Sequence, residues 1–249
     1  MARLENPEIR CPADTGLEAD AGAASCRDME NALIIGASGG IGHAITDALT
    51  ARGVTVTGLS RSRDGLDVTD EASVEAALGR LDGPFDLIFV ATGALEIDGA
   101  TPEKALKHID PKAMMDQFRL NCIGPSLVLK HAVRLLPRKE RSVFAALSAR
   151  VGSIGDNDFG GWYSYRTAKA ALNQMLHTGA IELARKHREA ICVALHPGTV
   201  ETAFTEKYVS RHPSVPPEEA ALNLLSVIDS LTVEHTGQFY DWQGARVPW

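Results

Sequence analysis

The sequence predicts an α/β domain with one doubly wound parallel sheet flanked by helices. Three observations support this: short apolar runs without polar alternation, longer segments of helical period between them, and a glycine-rich turn after the first run. Such runs suit parallel strands that helices cover on both faces, and the alternation of strand and helix favours a single Rossmann-type domain. The chain has 249 residues, 45% of them hydrophobic, which is enough for one large core.

The predicted elements follow one another from residue 31 onward. Strands are predicted at Ala32–Ile35, Val54–Gly58, Leu87–Ala91, Val143–Leu147 and Ile191–Leu195. Helices are predicted at Ile41–Ala51, Ser73–Leu81, Lys112–Leu136, Tyr163–Lys186 and Pro217–Ser230. Residues 1–28 have no sustained hydrophobic period and predict a disordered tail, which leaves residues 29–249 as the folded domain. Met1 and Met29 both remain candidates for the biological start.

Composition argues against several classes of protein. The net charge is −7, and residues 1–30 supply −4 of it, so the folded part is close to neutral and nucleic acid is not an expected partner. Apolar runs are too short for a membrane span, and the first residues lack the apolar centre of a signal peptide. The cysteines have no metal-ligand spacing, so we expect no metal site and a reduced cytoplasmic protein; they are Cys11, Cys26, Cys122 and Cys192.

A glycine-rich turn joins the first strand to the first helix. Glycines at 36, 40 and 42 give the spacing GxxxGxG, which allows a tight turn, a close backbone approach to a pyrophosphate and close helix packing. The amides and the positive helix end would then hold phosphates. The alternative is a turn that merely starts a helix. The candidate cofactor-binding residues in this loop are Gly36, Ser38, Gly39, Gly40, Ile41 and Gly42.

The tip of the second predicted strand bears on which nucleotide is bound. Ser60 and Arg61 stand where an acidic residue would hydrogen-bond a ribose diol, with Arg63 beside them. Because guanidinium groups suit phosphate, this tip favours NADP(H) over NAD(H). Asp64 keeps NAD(H) open, and Asp67 is a candidate for the adenine edge.

Tyr165 and Lys169 form a candidate catalytic pair. Their i, i+4 spacing puts phenol and ammonium on one face of a predicted helix, after a strand that ends in Ser148. A nearby cation lowers a phenol pKa, so Tyr165 would exchange a proton near neutral pH.

These motifs together resemble the short-chain dehydrogenase/reductases from Asn31 to Trp249. The resemblance rests on GxxxGxG, Asp67, Asn121, the serine-bearing strand end, YxxxK and Pro197-Gly198, in that order. Within the family, the stretch from Ser148 through Arg166 and the ending FYDWQG look like the C-factor-like and sniffer-like carbonyl reductases.

The resemblance implies reduction of an aldehyde or ketone to an alcohol, or the reverse, by a homodimer or homotetramer. Tyr165 would be the acid–base residue, Lys169 would bind the nicotinamide ribose and lower the Tyr165 pKa, and Asn121 would hold a helix bend and a water. A serine would bind the substrate oxygen. Further cofactor contacts are implied for Val68, Ala91, Thr92, Gly93, Pro197, Gly198, Val200 and Thr202. His196 is interpreted as structural.

The sequence departs from the family pattern at three places. Val90-Ala91-Thr92-Gly93 replaces the usual NNAG element, so its asparagine side chains are missing. Ser148 precedes Tyr165 by 17 residues, a longer spacing than usual; we favour Ser148, with Ser153 or no serine as alternatives. The link before Asp67 is too short for a full helix.

An apolar substrate pocket is expected from four aromatic residues, although the first two could instead pack on the core or form an oligomer contact. They are Phe159, Trp162, Phe204 and Tyr208. A cofactor-binding signalling or interaction protein without turnover is the competing function.

Overall fold

Six parallel strands form one sheet in the part of the chain that the computed structural model describes, residues 29–202 and 214–249. The predicted tail, Phe204 and Tyr208 lie outside the described residues. The strands are β1 Asn31–Ile35, β2 Thr55–Leu59, β3 Leu87–Val90, β4 Ser142–Leu147, β5 Ala190–His196 and β6 Phe239–Asp241. The α-helices are α1 Gly40–Ala51, α2 Arg61–Asp64, α3 Glu71–Gly79, α4 Pro111–Phe118, α5 Gly124–Ala132, α6 Tyr163–Leu183 and α7 Pro217–Ser230.

The strand order is β2-β1-β3-β4-β5-β6, and every pair is parallel. Side chains alternate along each strand into two separate cores. One core contains Leu33 with residues of α3, α5 and α6, and the other contains Ile34 with residues of α1 and α7. Helices therefore cover both faces, which confirms the predicted doubly wound α/β sheet.

The sheet topology places the candidate site. In a parallel sheet all strands point the same way, so the residues that follow β1, β3, β4 and β5 meet at one edge. Ligands of open α/β sheets bind beyond this carboxyl edge. The glycine-rich turn and Ser148 both lie there, directly after β1 and β4.

Two predicted helices differ most from the observed ones, and one observed strand was not predicted. The predicted helix Lys112–Leu136 is α4 and α5 joined by a π-helical turn at Arg119–Ile123, and it ends in a 3₁₀ turn at Val133–Leu135. The helix predicted at Ser73–Leu81 begins earlier, because the Asp70 carboxylate accepts a hydrogen bond from the Ala72 amide and caps α3. Strand β6 was missed because it has three residues, too few for a hydrophobic period.

The short link before Asp67 holds only the single helical turn α2, as the spacing predicts. Among the described residues, no helix combines the length and apolar character needed to cross a membrane.

We expect Gly42→Ala to destabilise the fold. A Cβ at Gly42 would lie 2.2 Å from the Gly36 carbonyl oxygen, a backbone atom that can move only with the whole turn. Overpacking of this kind costs about 1–3 kcal/mol of unfolding free energy, measurable by urea denaturation.

The control is Gly79→Ala at the end of α3, where a Cβ would meet no atom within 4 Å. This change should stabilise the fold by about 0.5–1 kcal/mol, because alanine loses less backbone entropy. Equal stability of the two variants would contradict the close packing of the glycine turn.

Candidate active site

The glycine-rich turn is held tightly at the start of α1. Gly36 has a φ of +88° and its amide donates to the Leu59 carbonyl at 2.7 Å, which bends the chain across the ends of β1 and β2. Gly39 precedes α1 without a side-chain capping bond among the described residues. The first amides of α1 thus point out of a helix end that favours anions.

The tip of β2 carries two exposed guanidinium groups, Arg61 and Arg63. The Asp64 carboxylate accepts hydrogen bonds from the Ser60 amide at 2.7 Å and from the Ser60 hydroxyl at 3.2 Å. Asp64 is thereby engaged within its own turn. The Ser62 hydroxyl lies 3.1 Å from the Ser38 hydroxyl and links this tip to the glycine turn.

Asp67 and Val68 lie beyond α2. One Asp67 carboxylate oxygen accepts from the Thr69 hydroxyl and amide, at 2.7 and 2.9 Å, and these bonds lower the Asp67 pKa. Val68 is buried, and a Cβ at Gly124 would lie 2.9 Å from its Cγ2. The Val68 side chain thus belongs to the core, which leaves its backbone for any ligand contact.

A cavity of about 590 Å³ opens at the carboxyl edge of the sheet. The predicted residues that line it are Gly39, Gly40, Ile41, Ala91, Thr92, Gly93, Ser148, Tyr165, Lys169, Pro197, Gly198, Val200 and Thr202. The predicted residues that do not line it are Gly36, Ser38, Gly42, Ser60, Arg61, Asp67, Val68, Asn121 and Ser153. One space thus joins the glycine turn, the Tyr165–Lys169 pair and Ser148.

Tyr165 and Lys169 are both buried in the wall of this cavity, at 6% and 2% exposure. The Lys169 ammonium donates to the Leu147 carbonyl at 2.9 Å and lies 5.8 Å from the Tyr165 ring centroid. Burial lowers the pKa of Lys169 to about 8, because the charged form loses its hydration.

The expectation of a lowered Tyr165 pKa is wrong for this structure. Burial raises the pKa of the phenol. Lys169 is itself desolvated, lies over the ring and donates to a main-chain carbonyl. Desolvation of the phenolate therefore outweighs the attraction of the neighbouring cation.

Ser148 and Ser153 lie in different surroundings. Ser148 lines the cavity, and its hydroxyl donates to the Asn173 side-chain oxygen at 2.6 Å. The Ser153 hydroxyl donates to the Pro248 carbonyl at 2.5 Å, away from the cavity. The geometry favours Ser148, as the sequence analysis did.

Asn121 occupies the π-helical turn and is fully buried. Its amide group donates to the Ala94 carbonyl at 2.9 Å and to Gln117 at 2.6 Å, and its oxygen accepts from the Ala94 amide at 3.2 Å. A Cβ at Gly93 would lie 2.8 Å from the Asn121 oxygen and 3.5 Å from the Lys169 nitrogen. The turn therefore brings Asn121 behind Gly93, beside Lys169.

The cavity fits a dinucleotide at two further points. The Thr92 hydroxyl, in the cavity lining, is buried without a hydrogen-bond partner among the described residues. A Cβ at Gly36 would lie 3.1 Å from the Ala91 backbone, so the glycine turn and the end of β3 approach closely. A polar ligand that lies across both segments would satisfy the hydroxyl.

Sequence reasoning gave no role to Arg150 or Glu103, and it interpreted His196 as structural. Burial lowers the pKa of His196 to about 4, so its imidazole is neutral at neutral pH. Arg150 lies 2.5 Å from the Asp156 carboxylate and 3.9 Å from Asp241. The Glu103 carboxylate accepts from the Ser164 amide at 3.2 Å at the start of α6. No local motif marks Arg150 or Glu103, because Asp241 and Ser164 are distant from them along the chain.

Trp162 precedes α6 with a φ of +51°, and its ring meets that of Tyr165 edge-on at 6.4 Å. The Trp162 amide donates to the Glu103 carbonyl at 2.6 Å, which holds this uncommon conformation. Within residues 29–202 and 214–249, no cluster of three or more histidine, cysteine or acidic side chains could hold a metal ion.

We expect Lys169→Met to stabilise the fold at pH 7. The folded pKa of Lys169, about 8, lies below its ordinary 10.5. The unfolded chain therefore binds the proton more tightly, and the charged lysine opposes folding below pH 8. Removing it should add up to about 3 kcal/mol of unfolding free energy.

The unfolding free energy that Lys169→Met adds should shrink as pH rises from 8 toward 10.5. Over this range the wild type gains stability, because Lys169 releases its proton in the folded state before it does in the unfolded chain. Urea denaturation at pH 7 and 9.5 measures it, with the exposed Lys130→Met as control. A Lys169 variant that is less stable at both pH values by the same amount would contradict the desolvation.

Comparisons with known proteins agree with this geometry. The family model described as enoyl-(acyl carrier protein) reductase matches residues 36–222. The 1-hydroxy-2-glutathionyl-2-methyl-3-butene dehydrogenase of Rhodococcus sp. (strain AD45) is 33% identical over 236 residues, which cover 89% of this chain and 100% of the relative. The C-signal protein of Myxococcus xanthus is 34% identical over 145 residues, 58% of this chain and 84% of that protein.

Solved structures have the same fold. NADPH-bound carbonyl reductase from chicken fatty liver superposes with a TM-score of 0.74 at 25% identity, covering 89% of this chain and 94% of that one. The carbonyl reductase Sniffer of D. melanogaster superposes with a TM-score of 0.71 at 19% identity, covering 89% and 100%. The resemblance predicted from the motifs is confirmed: the chain belongs to the short-chain dehydrogenase/reductase family of oxidoreductases.

Proposed function

We propose that the chain is an NADP(H)-dependent carbonyl reductase, which reduces an aldehyde or ketone to an alcohol or catalyses the reverse. One observation carries the proposal: the same cavity is lined by Gly39–Ile41, the buried Tyr165 and Lys169, and Ser148. A phosphate-binding turn and a proton-donating phenol are then available to one bound pair of reactants.

When bound, NADPH would supply a hydride to the carbonyl carbon. The residues of the chain would supply the proton that the carbonyl oxygen takes up. The Tyr165 phenol is protonated at neutral pH, which is the state required to donate to the carbonyl oxygen during reduction, and burial raises its pKa further. The Ser148 hydroxyl, which donates to the Asn173 oxygen in this structure, would turn its single proton to the same carbonyl oxygen. The Ser148 and Tyr165 side chains are both buried in the cavity wall, at 4% and 6% exposure.

Lys169 would bind the nicotinamide ribose hydroxyls and stabilise the phenolate that forms when Tyr165 loses its proton. With a pKa of about 8 it is mostly charged at pH 7, and its bond to the Leu147 carbonyl holds the ammonium at the end of β4. Asn121, fixed by both Ala94 backbone groups, would hold the π-helical turn and a water behind Lys169.

The β2 tip supports NADP(H) over NAD(H). Arg61 and Arg63 are exposed beside the Ser38 turn, whereas the Asp64 carboxylate is engaged by Ser60. Guanidinium groups attract a 2′-phosphate, and the two positive charges of Arg61 and Arg63 exceed the single negative charge of Asp64. Asp67 would meet the adenine edge through its remaining carboxylate oxygen.

The substrate side of the cavity favours a neutral, largely apolar carbonyl compound. Leu95, Val151 and Trp162 line it, and the charge of Arg150 is opposed by Asp156. The Rhodococcus relative is by its name a dehydrogenase of a hydroxyl-bearing compound, which supports carbonyl–alcohol chemistry here.

A second candidate is a cofactor-binding signalling or interaction protein with little turnover. The similarity to the C-signal protein and the Val90–Gly93 element without asparagine side chains favour it. Turnover of any simple aldehyde or ketone would exclude this candidate.

We also propose a cytoplasmic homodimer or homotetramer. Met115 and Ile123, on the segment from α4 to the π-helical turn, and Ile181 on α6 are exposed by 63%, 47% and 53%. Apolar side chains that face outward on long helices suit a symmetric contact.

Arg61→Ala should weaken NADPH binding about tenfold and leave NADH binding nearly unchanged, because a charged hydrogen bond to the 2′-phosphate is lost. Fluorescence titration measures both affinities, with Trp162 emission as an internal signal. Arg80→Ala, an exposed arginine after α3, is the matched control. Equal losses for NADPH and NADH would contradict phosphate recognition by Arg61.

Tyr165→Phe should lower kcat by about 10²–10⁴-fold, since the phenol supplies the proton. The affinity for NADPH should stay within about twofold, because the ring and its packing remain. Stopped-flow turnover measures the first quantity and titration the second. Tyr163→Phe, in the same turn of α6, is the control that should keep full activity; near-wild-type rates for both variants would refute the role of Tyr165.

A further inference from the structure

Asn173 continues the row of polar side chains on the face of α6 that carries Tyr165 and Lys169. The three residues are spaced by four, so they project from one side of the helix. Their exposed fractions are 6%, 2% and 2%. The motif read from the sequence ends at Lys169, but the buried polar row extends one turn further.

Asn173 contacts both ends of the segment that follows β4. Its side-chain oxygen accepts from the Ser148 hydroxyl at 2.6 Å, and its amide nitrogen donates to the Gly152 carbonyl at 3.5 Å. A Cβ at Gly152 would lie 2.7 Å from the Lys169 Cβ, so the 3₁₀ turn Arg150–Gly152 lies directly on α6.

Helix packing alone gives no reason for an amide at this position. The neighbouring buried positions of α6 are Leu172 and Leu176, and a leucine would fill the space of Asn173. Buried polar side chains are retained where partners satisfy them, and the Ser148 hydroxyl provides the short bond here.

We infer that Asn173 is a positioning residue that fixes the Ser148 hydroxyl in the cavity relative to Tyr165. In this structure it accepts the single Ser148 hydroxyl proton; with its side-chain amide turned over, its nitrogen would donate to the Ser148 oxygen and leave that proton for the carbonyl oxygen. The inference rests on the proposed function, in which Ser148 binds the carbonyl oxygen. The bond joins the end of β4 to α6 across the 17 residues that separate Ser148 from Tyr165.

A double-mutant cycle in unfolding tests the bond without any cofactor. Ser148→Ala and Asn173→Leu should each lower the melting temperature by about 2–4 °C, because each leaves one buried polar group unpaired. The double variant should lose much less than the sum, since both polar groups are then removed.

A double-mutant cycle with the same variants, measured on kcat/KM, tests the positioning role of Asn173. Asn173→Leu should lower kcat/KM for the carbonyl substrate about tenfold when Ser148 is present and not at all in the Ser148→Ala protein. The affinity for NADPH should be unchanged. Gln174→Leu, on the exposed side of the same helical turn, is the control, and Asn173→Ala replaces the leucine variant if that fails to fold.

If the losses in melting temperature or in kcat/KM are additive while the wild type is active, the positioning role of Asn173 is wrong and the proposed function stands. Full turnover by Ser148→Ala would overturn both this role and that of Ser148. A wild type that turns over no carbonyl would refute the proposed function and the positioning role with it, even if the unfolding cycle shows coupling.

Discussion

The buried ammonium of Lys169 is the constraint on which the site depends. Burying a cation costs free energy unless polar groups replace its hydration. Here the Leu147 carbonyl oxygen accepts a hydrogen bond from the Lys169 ammonium at 2.9 Å. The acceptor is the last residue of β4, so the sheet itself supplies the compensation. Part of the cost remains, as the lowered Lys169 pKa indicates. Such residual destabilisation is typical of functional sites.

The close packing around Lys169 follows from this burial. At Gly93 a Cβ would lie 2.8 Å from the oxygen of Asn121, which lies beside Lys169, and at Gly152 a Cβ would lie 2.7 Å from the Lys169 Cβ. Both positions therefore need glycine for space, whatever their backbone angles. The π-helical turn then brings Asn121 against Gly93, and π turns often accompany functional sites. The end of β3, the end of β4 and the long helices are thus fitted around one side chain.

Strands and motifs could be predicted where the residues that determine them are close together in the sequence. Strands such as Leu87–Val90 are buried throughout, so an apolar run identifies them, and the glycine turn and the i, i+4 pair have fixed spacing. The direction of the Tyr165 pKa shift could not be predicted, because it depends on desolvation by residues distant in sequence. Glu103 and Asn173 were missed for the same reason: each bonds a partner 25 or more residues away.

We propose that NADPH bound in this cavity would supply a hydride to a carbonyl carbon while Tyr165 supplies the proton. The most direct measurement is to incubate the protein with NADPH deuterated at C4 of the nicotinamide and a panel of aldehydes and ketones, followed by mass spectrometry of the products. We expect deuterium on the alcohol carbon with the wild type and little or none with Tyr165→Phe. Tight NADPH binding with no deuterated alcohol from any carbonyl would contradict the account and favour a binding protein.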